Sequence, residues 1–312
     1  MKQIALDTLI TGLPLTCAVV GIWMIFRLRE DFDLTVDASF GTGAALAATL
    51  LVHGSSVPVA MVAAGLAGGA MGMITATMHL ALRIPVILAG VVMSIGFYSV
   101  DLQIMGTPSV SLVGVPTLFS GFDSLSRDGS DLASIAVMAA IGLGSVLALG
   151  LFLRTEIGLA LRASGVNEVM TRSQGANAKA LLYLSLFLAN GLAALSGTIV
   201  VQSDGFADVT MGSGTLVAGI GAVLLGELVL RPHGSRLWRT MIALPIGVVA
   251  YQLILVVSLR LGLPATDLKA VTALTLVVAI AAERFGRPVL KVVRRRLSVL
   301  GSSPAAAVER GI

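Results

Sequence analysis

Two stretches of the 312-residue sequence place the same residue types at the same spacing. In VDASFGTGAALA, Asp37 is followed by Ser39, Gly41 and Gly43. In ADVTMGSGTLVA, Asp208 is followed by Thr210, Gly212 and Gly214. An Asp or hydroxyl side chain at the mouth of an apolar run can accept hydrogen bonds from the unpaired N–H groups of a first helical turn. Gly-x-Gly lets a second backbone come close, or lets a helix start late. The chemistry on offer is positioning and binding. Little in the chain suggests bond-making. Cys17 is the one cysteine and lies in an apolar run, where it reads as a core residue. His53, His79 and His233 are far apart, without ligand spacing, so no metal site and no cofactor are expected. No Ser/His/Asp or Cys/His set suggests an enzyme. The GxxxxGK[ST] phosphate loop is missing, so any ATP would be bound by separate subunits.

The elements that must position these residues are membrane spans. Hydrophobic residues make up 56% of the chain and charged ones 12%. Its mean hydropathy is +0.96. A soluble domain carries about 25% charged residues, so the solvent here is lipid. The 35 glycines suit helices packed through small side chains. A span needs about 20 apolar residues. Nine stretches qualify in the sequence, roughly 4–26, 36–52, 57–79, 85–104, 131–153, 180–201, 213–230, 239–259 and 268–283. The expected fold is an all-α, polytopic membrane protein forming one domain over 1–312. The first stretch is too long for a signal-peptide core and reads as a span.

Basic residues give an orientation. Arg154, Arg162, Arg172 and Lys179 lie in one long connection, Arg231, Arg236 and Arg239 in a turn, and six more between Arg284 and Arg296 in the tail 284–312. The positive-inside rule makes these cytoplasmic, with the N-terminus outside and the C-terminus inside. The net charge of +4 thus reflects topology, and no nucleic-acid partner is expected. The tail RFGRPVLKVVRRRLSVL suits an anionic lipid surface.

The two motifs open the second and seventh spans, which point in opposite directions. HGS recurs at His53–Ser55 and His233–Ser235, and RIP, ending at Pro85, is echoed by RLGLP, ending at Pro264. This ordered set predicts an inverted-topology repeat with discontinuous helices, its halves roughly 30–153 and 180–283. Each motif is expected to start a broken helix. Simple capping and contact with a transported solute both remain open for Asp37 and Asp208.

The segment GLALRASGVNEVMTRSQGANAKALLYLSLFLANGLAALSGTIVV resembles the permeases of bacterial ATP-driven importers in the branched-chain amino acid and ribose-type group. Their cytoplasmic Arg-Ala-x-Gly-x-Asn is matched by Arg162, Ala163, Gly165 and Asn167. GSGTLVAGIGAVLLGE is similar to a later family segment. The stretches DFDLTVDASFGTGAA, IMGTPSVSL and VLLGE resemble a branch assigned to amino acids, including tryptophan or tyrosine. The acidic DLTVDASF departs from the sugar permeases, which favour Gly at the second Asp. The resemblance implies a permease subunit in the bacterial inner membrane. It implies a second permease subunit, two ATPase subunits and an extracytoplasmic binding protein as partners.

It also implies a cytoplasmic coupling helix. Gly165 is expected to break one helix, Asn167 to cap the next, and Glu168, Met170 and Arg172 to project toward the ATPase. Arg127, Arg260 and Lys269 are the few basic residues expected outside, where acidic side chains of a binding protein can dock. Two alternatives stand. One is an ion-coupled secondary transporter using Asp37 and Asp208, and the other is a sugar or nucleoside permease of the ATP-driven type.

Overall fold

The computed structural model describes residues 2–29, 31–122, 127–230, 237–264 and 267–281, with residues 127 and 128 described by their backbone alone. The second HGS and the basic tail 284–312 lie outside the described residues.

The first span, α1 (Lys2–Arg29), changes its winding along its length. Pro14 sits in a 3₁₀ turn, Leu13–Leu15, where its missing N–H is tolerated. The last six residues, Met24–Arg29, wind as a π-helix. There follow α2 (Thr35–Val52), α3 (Val57–Leu82), α4 (Val86–Met105) and α5 (Arg127–Phe152). Two short helices come next, α6 (Glu156–Val166) and α7 (Glu168–Ser173). The chain then runs through α8 (Ala178–Asp204), α9 (Thr215–Leu230), α10 (Leu237–Arg260) and α11 (Leu268–Ala281).

Seven of these helices are long and apolar enough to cross a membrane. Two of the nine expected spans are shorter. The 16 residues of α9 rise about 24 Å, less than the roughly 30 Å of a hydrocarbon core. Their shortness has a local cause, since α9 begins inside the bundle beside α2. The described part of α11 is likewise a short apolar helix.

The centre of the bundle is α8, which packs against α1, α2 and α3. Small residues make this approach possible. The α-carbon of Gly21 lies against the Ala189 carbonyl, that of Gly43 against the Ala194 carbonyl, and that of Gly72 against the Leu186 carbonyl. A side-chain carbon at any of the three would overlap backbone. The apolar windows of α1 and α2 are 72% buried, whereas those of α4 and α5 are only 22% and 28% buried. Outward-facing Leu66, Ile95 and Leu143 on α3, α4 and α5 therefore belong to the surface that meets lipid.

Sequence periodicity did not anticipate a two-stranded antiparallel ribbon, β1 (Ser109–Ser111) with β2 (Phe206–Asp208). Ser109 pairs with Asp208 and Ser111 with Phe206. Leu51 at the end of α2 and Met105 at the end of α4 cluster here with Val201 and Ala207, which defines a ribbon face. The opposite face carries α6 and α7. From a shared middle region, α2 runs to the ribbon face and α9 runs toward the α6–α7 face. They thus point in opposite directions, as the paired motifs predict.

Candidate coupling and translocation sites

The two motifs were expected each to cap its own helix. They instead interlock. α2 begins at Thr35, two residues before Asp37, with Leu34 at its N-cap and no capping side chain. Asp37 reaches across to α9, where Oδ2 accepts from Gly214 N at 3.0 Å and Oδ1 from Leu216 N at 2.7 Å. The carboxylate of the first motif therefore caps the helix that follows the second. Gly212 completes the joint, since its α-carbon sits against the Asp37 carbonyl and 3.0 Å separates its would-be side-chain carbon from Gly41 N. Any larger residue at Gly212 would push the two backbones apart.

Asp208 has a different job. It lies in β2, seven residues before α9, and holds its own turn through Thr210 N at 2.8 Å and Thr210 Oγ1 at 2.5 Å. It does not open a helix, because Gly212–Gly214 and their turn intervene. Of the remaining motif residues, Ser39 donates to Asn190 Oδ1 at 2.8 Å, and Gly43 gives the close contact with α8.

The sequence reading missed the groups that hold the start of α2. Asp33 is buried in the break between α1 and α2. Its Oδ1 accepts from Thr35 N and its Oδ2 from Asn190 Nδ2, both at 2.8 Å. The Thr35 and Thr75 hydroxyls pair at 2.7 Å. Burial pushes the Asp33 carboxyl above its ordinary range, opposed by the hydrogen bonds from Thr35 and Asn190. Asp33 stands four residues before Asp37, so the acidic DFDLTVD was the available signal. A further acid, Asp101 on α4, is buried beside Gly41, where an added side chain would begin 3.3 Å from Oδ2.

On the opposite face, Thr155 caps α6 by accepting from Gly158 N at 3.2 Å, and Asn167 caps α7 by accepting from Met170 N at 2.9 Å. The cap at Asn167 is the expected one. Gly165 is not the helix break. It lies in the last turn of α6, where its α-carbon abuts the Leu28 carbonyl so closely that a side chain would overlap it. The chain turns instead at Asn167, whose extended backbone (φ −156°, ψ 100°) cannot continue a helix. Val169 and Met170 are exposed at the tip, 79% and 62% respectively, and Glu168 and Arg172 pair across one turn at 2.5 Å. Arg162 is partly buried near the base of this elbow.

The elbow is linked to the middle of the bundle. Leu28, touched by Gly165, is the neighbour of Arg27, whose guanidinium grips both carboxylate oxygens of Glu227 on α9. A chain of contacts thus runs from α6 through the π-wound end of α1 into α9, whose first turn Asp37 holds.

Of the three basic residues expected on the outer side, Arg260 pairs with Asp7 at 2.6 Å and so ties α10 to α1. Lys269 is exposed in the first turn of α11. Arg127 begins α5, and its side chain lies outside the described residues. Beside Lys269 lies a cavity of about 490 Å³ lined by residues of α1, α2 and α8–α11. Among the described residues there is no cluster of His, Cys, Asp and Glu that could hold a metal ion.

A bundle of apolar helices with paired broken helices and a capped, protruding elbow is the architecture of a transport permease. The chain belongs to the family described as the permease component of the branched-chain amino acid transport system, which matches residues 4–282. It is a multi-pass transport subunit, not an enzyme. It is 31% identical over 270 residues to the tyrosine transport system permease protein of Clostridioides difficile, covering 86% of this chain and 88% of that one. It is 27% identical over 214 residues to the autoinducer 2 import system permease protein LsrC of Salmonella typhimurium, covering 68% of this chain and 59% of that one. Among solved structures, PsaBC from Streptococcus pneumoniae in complex with Fab superposes with a TM-score of 0.53 at 14% identity, covering 88% of this chain and 89% of that one. That last likeness concerns the fold alone.

Proposed function

We propose that this chain is the membrane subunit of an ATP-driven importer, and that it passes an amino acid from an extracytoplasmic binding protein to the cytoplasm of a bacterium. The observation that carries the reading is the α6–α7 elbow. A helix of six residues cannot persist alone. Here it is capped by Asn167, and α6, immediately before it, is seated on α1 at Gly165, with apolar Val169 and Met170 left exposed. Such a tip fits a cleft on an ATPase subunit. Two ATPase subunits, a second copy of the permease and a binding protein complete the assembly, and ATP is bound by the ATPases. No cofactor of the permease itself is needed.

In this reading the elbow face is cytoplasmic and the ribbon face external. The N-terminus is then outside, and the basic tail 284–312 lies along the inner leaflet. Binding-protein lobes dock through Arg127, Arg260 and Lys269. The contact of α2 with α9 favours repeat halves α1–α4 and α8–α11, with α5 between them. The boundary at residue 30 drawn from the sequence omits α1, which precedes α2 as α8 precedes α9. The amino-acid class is supported by the tyrosine permease relative and by the acidic start of α2. A sugar-type solute is favoured only by the more distant LsrC.

An ion-coupled carrier draws on three acids around the start of α2: buried Asp33 just before it, half-buried Asp37 in its first turn and buried Asp101 on α4. Against it, both oxygens of Asp37 are already engaged by backbone N–H groups. Reconstituted vesicles decide between the two. Uptake that needs ATP inside and binding protein outside supports the importer. Uptake driven by an ion gradient, without either partner, overturns it.

A further inference from the structure

We infer that the cavity between α1, α9, α10 and α11 is a binding site for a free zwitterionic amino acid with an apolar side chain. The inference deepens the amino-acid reading above and assigns residues to its solute. The cavity, about 490 Å³, is of the size that holds small molecules. Most of its wall is apolar, with Phe40, Val248 and Leu255 among the lining residues. Two opposite charges break that wall, Asp204 at the last turn of α8 and Lys269 in the first turn of α11.

Neither charge forms an ion pair or a hydrogen bond among the described residues. They line one cavity without neutralising each other. Both side chains are exposed, so they stand at the mouth of the cavity, where an entering solute can reach them. A molecule that carries both charges answers both residues at once. Its ammonium group meets the Asp204 carboxylate, its carboxylate meets the Lys269 ammonium, and its side chain lies on the apolar wall. Gln252 adds an acceptor from the same wall, since its Oε1 is buried and without a hydrogen-bond partner. The Tyr251 hydroxyl, by contrast, is already paired with Thr272 at 2.9 Å.

A phosphatidylethanolamine headgroup is also a zwitterion. The free amino acid is favoured because helices of both repeat halves bound the space, at a volume suited to one small molecule. The experiment separates the two sources. Full-length permease is placed in nanodiscs of phosphatidylglycerol alone, and binding of L-phenylalanine is measured. 2-Phenylethylamine, which lacks the carboxylate, and 3-phenylpropionate, which lacks the ammonium group, serve as competitors. L-Phenylalanine is expected to bind at least about tenfold more tightly than either, the loss that follows when one charge-assisted contact is missing. Lys269→Met should erase its advantage over 2-phenylethylamine. Asp204→Asn should erase its advantage over 3-phenylpropionate. Thermal melting checks that both variants are folded.

Equal affinity for all three ligands, or unchanged preferences in both variants, overturns the site. So does the absence of binding, or phosphatidylethanolamine that is retained from cells and not displaced by L-phenylalanine. Uptake in reconstituted vesicles is scored separately. ATP-dependent uptake of an amino acid with no binding here rejects this site and leaves the importer standing. Binding here with no dependence on ATP or binding protein rejects the importer and leaves the site standing.

Discussion

Asp37 on α2 holds the first turn of α9, with Leu216 N 2.7 Å from one carboxylate oxygen and Gly214 N 3.0 Å from the other. Two helices that run to opposite faces of the bundle therefore share one acid. The two copies of the motif meet in this contact: the first contributes the acceptor Asp37, and the second contributes Gly212, which lets the two backbones meet.

Removal of this acid should loosen α9 more than α2. Asp37→Ala is expected to cost about 0.5–2 kcal/mol, the range for a lost helix cap. Hydrogen exchange should quicken at residues 214–217, while the amides of α2 hold their protection. Asp37→Asn keeps an acceptor oxygen and should recover part of the loss. Equal protection at 214–217 in the Ala variant and the parent would count against the cap.

Gly165→Val puts a branched side chain where the Leu28 carbonyl sits. The chain should still insert, because α6 lies outside the long spans, but α6 must lift from α1. Binding-protein-stimulated ATP hydrolysis and uptake should both fall steeply. The pair Glu168–Arg172, with side chains 51% and 57% exposed, supplies the contrasting variant. An exposed pair of this kind contributes about 0.3–0.5 kcal/mol, so a double alanine variant should melt like the parent. Its uptake should still drop if the tip meets an ATPase. Normal stimulation in both variants would remove the elbow from the coupling path.

The Arg27–Glu227 contact should transmit as well as stabilise. Arg27→Lys keeps the charge but loses the planar fork that engages both oxygens. It is expected to reduce stimulated ATP hydrolysis while changing the melting temperature little. A double-mutant cycle with Glu227→Gln gives the coupling energy, expected at about 1 kcal/mol or more for a partly buried pair. Additive effects of the two substitutions would show that the pair is incidental.

Asp33 sets a pH dependence of stability. Its carboxyl is held above its ordinary value of 3.8 by burial, so the folded chain binds this proton more tightly than the unfolded one. The folded state is therefore favoured below 3.8. It loses that advantage as pH rises from 3.8 to the raised value, and the cost stays constant above it. Asp33→Asn keeps an acceptor for Thr35 N and carries no charge, but it loses the acceptor used by Asn190 Nδ2. That loss is the same at every pH, so the pH trend is the readout: the stability of the variant relative to the parent should rise from pH about 4 toward neutral. A difference between the two that does not change with pH would remove Asp33 as the source of the dependence.

The long spans were legible because lipid imposes a length and a composition that any sequence must declare. Eight of the nine expected helix ranges begin within two or three residues of the observed ones; the span expected at 131–153 begins as a helix at Arg127. The cap at Asn167 was legible because an Asn before an acidic residue and a short polar run is a local signal. What the sequence hid was contact between distant segments. Nothing local says that Asp37 caps α9 and not its own helix, or that Gly165 serves a close approach and not a break. The ribbon was hidden because three-residue strands carry no period, and Asp204 and Lys269 because they stand 65 positions apart in sequence.

The ribbon has a mechanical meaning. By pairing Ser109 with Asp208 it closes residues 109–208 into a loop whose root is on one face and whose α6–α7 tip is on the other. A push delivered at that tip cannot simply carry the loop along, because its root is stitched at both ends. The push must be balanced at the stitched end. The loop then acts as a lever with its fulcrum at the ribbon, so that displacement grows toward the α6–α7 tip and is handed to α1 where Gly165 meets Leu28.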